Sequence, residues 1–118
     1  MAIPTNLRID GDRLLWRLAT LAKIGDTGDG GCRRLALSDE DRQGRDLLVS
    51  WMEELGLEVR IDRVGNILGI RAGETEGPAV MLGSHIDTVA TGGRYDGALG
   101  VLAGLEAVAA VKEAGIVP

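Results

Sequence analysis

One histidine and two aspartates are the residues of this chain best suited to chemistry. His85 lies in the run Gly83-Ser84-His85-Ile86-Asp87-Thr88, and Asp96 in Gly92-Gly93-Arg94-Tyr95-Asp96-Gly97-Ala98. His85 is the sole histidine. Side chains two apart in extended backbone project to the same side, so Asp87 can accept an imidazole N–H, fix the tautomer and leave the other ring nitrogen as a metal donor. Asp96 follows eleven residues after His85, across a glycine-bearing loop able to fold it back. Its two oxygens can bridge two cations held about 3.5–4 Å apart. Each residue also has a structural reading. His85 can be a hydrogen-bonded strand-end residue, Asp87 an Asx-turn former and Asp96 a helix N-cap. Gly92 and Gly93 can form a plain turn, Asn66 can supply turn geometry, and Cys32 can be a small packed side chain. Taken singly, these readings prevail; the chemical one rests on the combination.

The elements that must position these residues follow in chain order. Asp10 or Asp12 can cap a helix over about Gly11 to Lys23, with the apolar stripe Leu14, Leu15, Leu18, Leu21 and Ala22. Ile24 to Leu37 is a glycine-rich stretch without regular pattern. Ser38 and Asp41 stand at capping-box spacing before a second helix. Its buried face is Leu47, Leu48, Trp51, Met52 and Leu55, and Gly56 is a natural stop. Leu57 to Arg63 alternates apolar and charged residues, predicting a half-exposed strand. Gly65 and Asn66 turn it into a neighbouring strand over Asn66 to Arg71. Ala79 to Gly83 is a short continuous apolar run, as in a strand covered on both faces. His85 falls where that strand ends, the edge at which open α/β sheets bind ligands. Ala98 to Ala114 predicts a deeply buried helix, and Ile116-Val117-Pro118 leads toward another strand. The fold class is α/β, an incomplete layered mixed sheet with flanking helices.

Composition narrows the function classes. The chain has 118 residues, 45% hydrophobic and 26% charged, which is globular composition. Phe is absent, and Trp16, Trp51 and Tyr95 are the aromatic residues, so the core must be aliphatic. Glycine, at 18 of 118, is about twice its usual share and marks turns and close approaches. A net charge of −5 with few aromatics excludes an ordinary nucleic-acid surface. No apolar run reaches the roughly 20 residues that cross a bilayer, and Met1 to Asp10 lacks the plan of a signal peptide. Cys32 stands alone and cannot form an internal disulfide. These features lead us to expect a soluble, cytoplasmic protein that binds neither nucleic acid nor membrane.

The two motifs together, Gly83-Ser84-His85-Ile86-Asp87-Thr88-Val89 and Gly92-Gly93-Arg94-Tyr95-Asp96-Gly97-Ala98-Leu99-Gly100-Val101, closely resemble the hydantoinase/carbamoylase family of metal-dependent amidohydrolases. That family includes N-carbamoyl-L-amino-acid hydrolases, beta-ureidopropionases and allantoate amidohydrolases. The resemblance runs back through Gly31-Cys32-Arg33-Arg34-Leu35-Ala36-Leu37-Ser38 and Leu57 to Asn66, so it covers nearly the whole chain. Ile86, Tyr95 and Ala90 stand where the family often has Leu, Phe and Pro, all compatible exchanges. The short interval from His85 to Asp96 resembles the carbamoylase branch rather than aminoacylases and dipeptidases.

The resemblance implies that His85 binds one metal, that Asp96 bridges two and that Asp87 is the catalytic-site residue orienting His85. It implies two divalent cations (Zn, Mn, Co or Ni), a small ureido or N-carbamoyl amino acid substrate and a homodimeric full-length enzyme. It also implies that residues 1–118 are the N-terminal segment of the catalytic domain of a two-metal, aminopeptidase-like fold. The remaining ligands, the general-base glutamate and a dimerisation domain would lie elsewhere; Glu106 and Glu113, on the apolar helix, are wrongly placed to replace that glutamate pair. The chain alone is therefore expected to be inactive. A metal-free interaction or structural fragment, prone to self-association, is the alternative of a different class. A related aminoacylase or peptidase is the third reading.

Overall fold

The computed structural model describes residues 3–118. Helix α1 (Gly11–Ala22) starts at Asp10, whose carboxylate accepts from the Arg13 amide at 3.0 Å. It buries Arg17, Leu18, Leu21 and Ala22. Leu15, expected in the apolar stripe, is exposed: it sits at the stripe's margin beside exposed Trp16. Helix α2 (Asp39–Glu54) begins at Ser38, whose hydroxyl accepts from the Asp41 amide at 3.1 Å. The Asp41 carboxylate reaches back to the Leu37 amide at 2.9 Å, one residue beyond the N-cap amide that a capping box would use. The helix closes in a Schellman arrangement, Leu57 N–H donating to Met52 C=O and Gly56 N–H to Glu53 C=O.

That cap turns the chain directly into β2 (Glu58–Ile61), which pairs antiparallel with β3 (Ile67–Ile70) in the register Glu58 opposite Ile70 to Ile61 opposite Ile67. The hairpin turn is tied by Asp62, whose carboxylate accepts from the Asn66 side chain at 2.7 Å and from the Val64 and Asn66 amides. Those bonds, the Asn66 side chain first, hold the Asp62 carboxyl below its usual range. Asn66 therefore serves the turn.

Helix α3 (Ala98–Glu113) packs on α1. The contact is fastened by fully buried Glu106, which accepts from Arg13 Nε at 2.8 Å and Arg13 Nη2 at 2.7 Å, from Arg17 Nη1 at 3.4 Å, and from the Asp10 amide at 3.0 Å. The core joins all three helices: Leu18 and Leu21 from α1, Leu48 and Trp51 from α2, and Ala98, Leu102 and Leu105 from α3, closed by Leu57 and Ile86.

Four expectations need correction. The Ile24 to Leu37 stretch is not structureless: β1 (Gly31–Cys32) pairs antiparallel with β4 (Gly92–Gly93). The sheet is not mixed among the described residues, where both pairings are antiparallel and separate. Ala79 to Gly83 pairs with no described strand, and Val80 and Met81 are 93% and 80% exposed. A continuous apolar run signals two faces that need cover, and within this chain α3 supplies cover only on one side, where Gly104 approaches Leu82. For the same reason α3 is buried along one flank and leaves Leu99 exposed. Ile116 to Pro118, expected only to lead toward a strand, is a tail held by Arg71, which donates to Ile116 O at 2.6 Å. The radius of gyration, 15.2 Å, exceeds the roughly 13.5 Å of a compact chain of this length, in keeping with a slab of 47 × 34 × 20 Å.

Candidate metal site

The segment carrying His85 alternates as extended backbone must. Ile86 and Thr88 are buried, while the side chains of His85 and Asp87 are 51% and 45% exposed. Ile86 is seated in the core, and the Thr88 hydroxyl bonds the Cys32 carbonyl at 3.1 Å. The inward residues are fixed, so the outward pair is presented from a held backbone.

His85 Nδ1 lies 2.9 Å from the Asp87 carbonyl oxygen and 3.4 Å from its carboxylate Oδ1. A carbonyl only accepts, so this geometry assigns the proton to Nδ1 and leaves the Nε2 lone pair free. The sequence expectation placed the carboxylate in that role; the carbonyl of the same residue is the nearer partner. The imidazole also packs closely against the chain at Gly97, where an added Cβ would sit 2.4 Å from His85 Cε1. Gly97 has φ of +72°, a conformation glycine alone adopts freely. His85 is thereby brought beside the residue that follows Asp96.

Asp96 does not cap α3. The cap position is Gly97, without a side-chain hydrogen bond, and it is the Asp96 backbone carbonyl that accepts from the Ala98 amide at 2.8 Å. Its exposed carboxylate accepts no hydrogen bond from the described residues. The β1–β4 pairing, Gly31 opposite Gly93 and Cys32 opposite Gly92, ties the loop before Asp96 to the glycine-rich stretch.

The donor types fit a divalent cation: an imidazole nitrogen and a free carboxylate. The number does not. Among the described residues no group of three or more His, Cys, Asp or Glu side chains is arranged to hold a metal, whereas catalytic zinc takes three protein ligands and an open position. Glu106 is saturated by Arg13 and Arg17, and Glu113 is paired with Arg13, so neither is available. Cys32 is buried between the Ile24 carbonyl and Arg34 Nη1, a packing role. The residue that sequence reasoning missed is Arg34, buried with its guanidinium on backbone carbonyls. The one available signal was Gly44, an interior helix glycine that costs about 1 kcal/mol relative to alanine; an added Cβ there would stand 2.9 Å from Arg34 Cδ.

No family model matches the chain. It is 50% identical over 110 residues to an N-carbamoyl-L-amino-acid amidohydrolase of Pseudomonas sp. (strain NS671), covering 92% of this chain and 27% of that protein. It is 44% identical over 95 residues to the allantoate amidohydrolase of Bacillus subtilis (strain 168), covering 79% of this chain and 23% of that protein. Among solved structures, a hydantoinase/carbamoylase family amidase from Burkholderia ambifaria superposes with a TM-score of 0.91 at 52% identity, over 94% of this chain and 28% of that one. The chain thus spans about a quarter of the length of the relatives it matches.

Proposed function

From the premise that this chain is homologous, over almost its whole length, to the N-terminal portion of the hydantoinase/carbamoylase family of amidohydrolases, we propose that it supplies part of the two-metal site of an enzyme cleaving non-peptide carbon–nitrogen bonds. The substrate class is an N-carbamoyl-L-amino acid or a related ureide. The observation that carries the reading is the His85 ring, held with Nδ1 on the Asp87 carbonyl and packed against Gly97, the residue that follows Asp96.

In this reading His85 Nε2 and the Asp96 carboxylate are metal ligands, and Asp87 is the residue that orients His85. Cations held there would supply Lewis-acid polarisation of the ureido group and acidify water. The chain's own part is to hold one imidazole in one tautomer and in one place, and to keep one carboxylate unengaged by the fold. It holds two of the ligands required, so the isolated chain is inactive. We assign it to the catalytic domain, as a cytoplasmic protein.

The test is to graft this chain in place of the matching 110 residues of the Pseudomonas protein and assay N-carbamoyl-L-amino acids with Zn²⁺ or Mn²⁺. The expected result is an active chimera that loses activity with His85→Ala or Asp96→Ala, beside an inactive 118-residue chain. A chimera that is folded and active with either residue replaced by alanine would refute the assignment.

One observation favours a second reading, association through the exposed run. Val80, Met81 and Leu82 are exposed in a segment that pairs with no described strand, an edge of the kind that recruits another chain. A clean monomer in size-exclusion with light scattering would remove this reading.

A further inference from the structure

Both peptide groups flanking the Asp87 Cα are held by one residue. Arg34 is 1% exposed. Its Nε donates to the Ile86 carbonyl at 2.8 Å. Its backbone engages Thr88 in both directions: the Thr88 amide donates to Arg34 O at 2.7 Å, and the Arg34 amide donates to Thr88 Oγ1 at 2.7 Å. The guanidinium is itself anchored, Nη1 donating to Leu21 O at 3.1 Å and Ile24 O at 2.7 Å, at the C-terminal end of α1 and the turn that follows it. Gly44 of α2 clears the space its stem occupies.

The direction of the Asp87 carbonyl follows from this. That carbonyl and the Thr88 N–H belong to one peptide, and no peptide bond among the described residues is cis. In a trans peptide the C=O and N–H point in opposite directions. With the N–H drawn inward onto Arg34, the carbonyl is aimed outward, where it meets His85 Nδ1 at 2.9 Å.

We propose that Arg34 is a positioning residue for His85: by fixing the Asp87–Thr88 peptide it selects the Nδ1–H tautomer and keeps the Nε2 lone pair bare. The consequence for metal binding rests on the reading of His85 as a ligand; the tautomer selection does not.

Because His85 is the sole histidine, long-range ¹H–¹⁵N NMR of the chain reads a single imidazole. At about pH 9, above the ordinary imidazole range, Nδ1 should resonate as the protonated nitrogen and Nε2 as the bare one. A wild-type spectrum with the proton on Nε2 overturns the proposal before any variant is made. Arg34→Lys cannot span the Ile86 carbonyl and the α1 end together, and Thr88→Val withdraws the hydroxyl from the Arg34 amide. In each, the two nitrogen resonances should converge toward a tautomer mixture. An unchanged wild-type pattern in both variants, or in Thr88→Val should Arg34→Lys fail to fold, overturns the proposal. Zinc affinity of the chimera keeps the two readings apart: tautomer selection in the chain, beside a chimera that binds zinc equally well with His85→Ala, would sustain the positioning role and count against the ligand role.

Discussion

Two clusters of ionisable side chains in this molecule make opposite use of the same chemistry. The Glu106 carboxylate is sealed between α1 and α3, with both oxygens occupied by Arg13, Arg17 and the Asp10 amide. Asp96 stands exposed, free of hydrogen bonds from the described residues, one residue before the glycine against which the His85 ring packs. A saturated carboxylate has nothing left to offer a ligand, and an unsaturated one contributes little to the fold. Saturation and exposure, more than residue type, separate architecture from chemistry. The comparison makes a demand: changes at the first cluster should alter stability, and changes at the second should alter binding.

The largest stability effect belongs to Glu106→Ala, which leaves buried Arg17 without its carboxylate and Arg13 with Glu113 alone, and should cost about 3–5 kcal/mol, read as a fall in the urea midpoint. The same ion pair makes stability depend on pH. Arg13 holds the Glu106 carboxyl below its usual range, so its contribution is complete above the ordinary carboxylate range and is lost as pH falls through the lowered value. The thermal midpoint of the wild type should therefore approach that of Glu106→Gln on acidification; a gap that stays constant to low pH would break the assignment.

Gly97→Ala is intermediate and touches both halves of the comparison. It forces alanine to φ of +72° and against the His85 ring, which should cost about 1–3 kcal/mol and displace the imidazole. Thermal melts, with metal affinity of the chimera measured alongside, would show both losses. Ser38→Ala removes the α2 cap and should cost about 1 kcal/mol without altering that affinity. The smallest stability effects belong to the open site. Asp87→Asn and His85→Ala should each shift stability by no more than about 0.5 kcal/mol. Asp87→Asn keeps the backbone carbonyl on which Nδ1 rests and should weaken metal binding by the chimera far less than His85→Ala, which abolishes it. Sizeable destabilisation by His85→Ala would erase the distinction between the clusters.

What was legible in the sequence is what local physics decides. Ser38, Gly56 and the alternation from Leu57 onward each specify backbone within a few residues, and α2 and the β2–β3 hairpin lie where these place them. The outward pairing of His85 with Asp87 was legible for the same reason, as a period of two. Cover for Ala79 to Gly83 was not, because the apolar run records a need for neighbours without naming them. Arg34 was hidden because the adjacent Arg33 and Arg34 are alike in sequence, and only the tertiary placement of Ile86, Leu21 and Ile24 determines which guanidinium goes inside. Asp96 was misleading as a cap candidate, since the chain spends Gly97 at that position and leaves the carboxylate over.

The fit of Gly44 against the Arg34 stem carries an evolutionary consequence. Neither position can drift by itself: a methyl group on the helix displaces a pinned guanidinium, and a shorter residue in the loop leaves a void beside a bare turn of helix. Descendants of this sequence should exchange the two together or keep both.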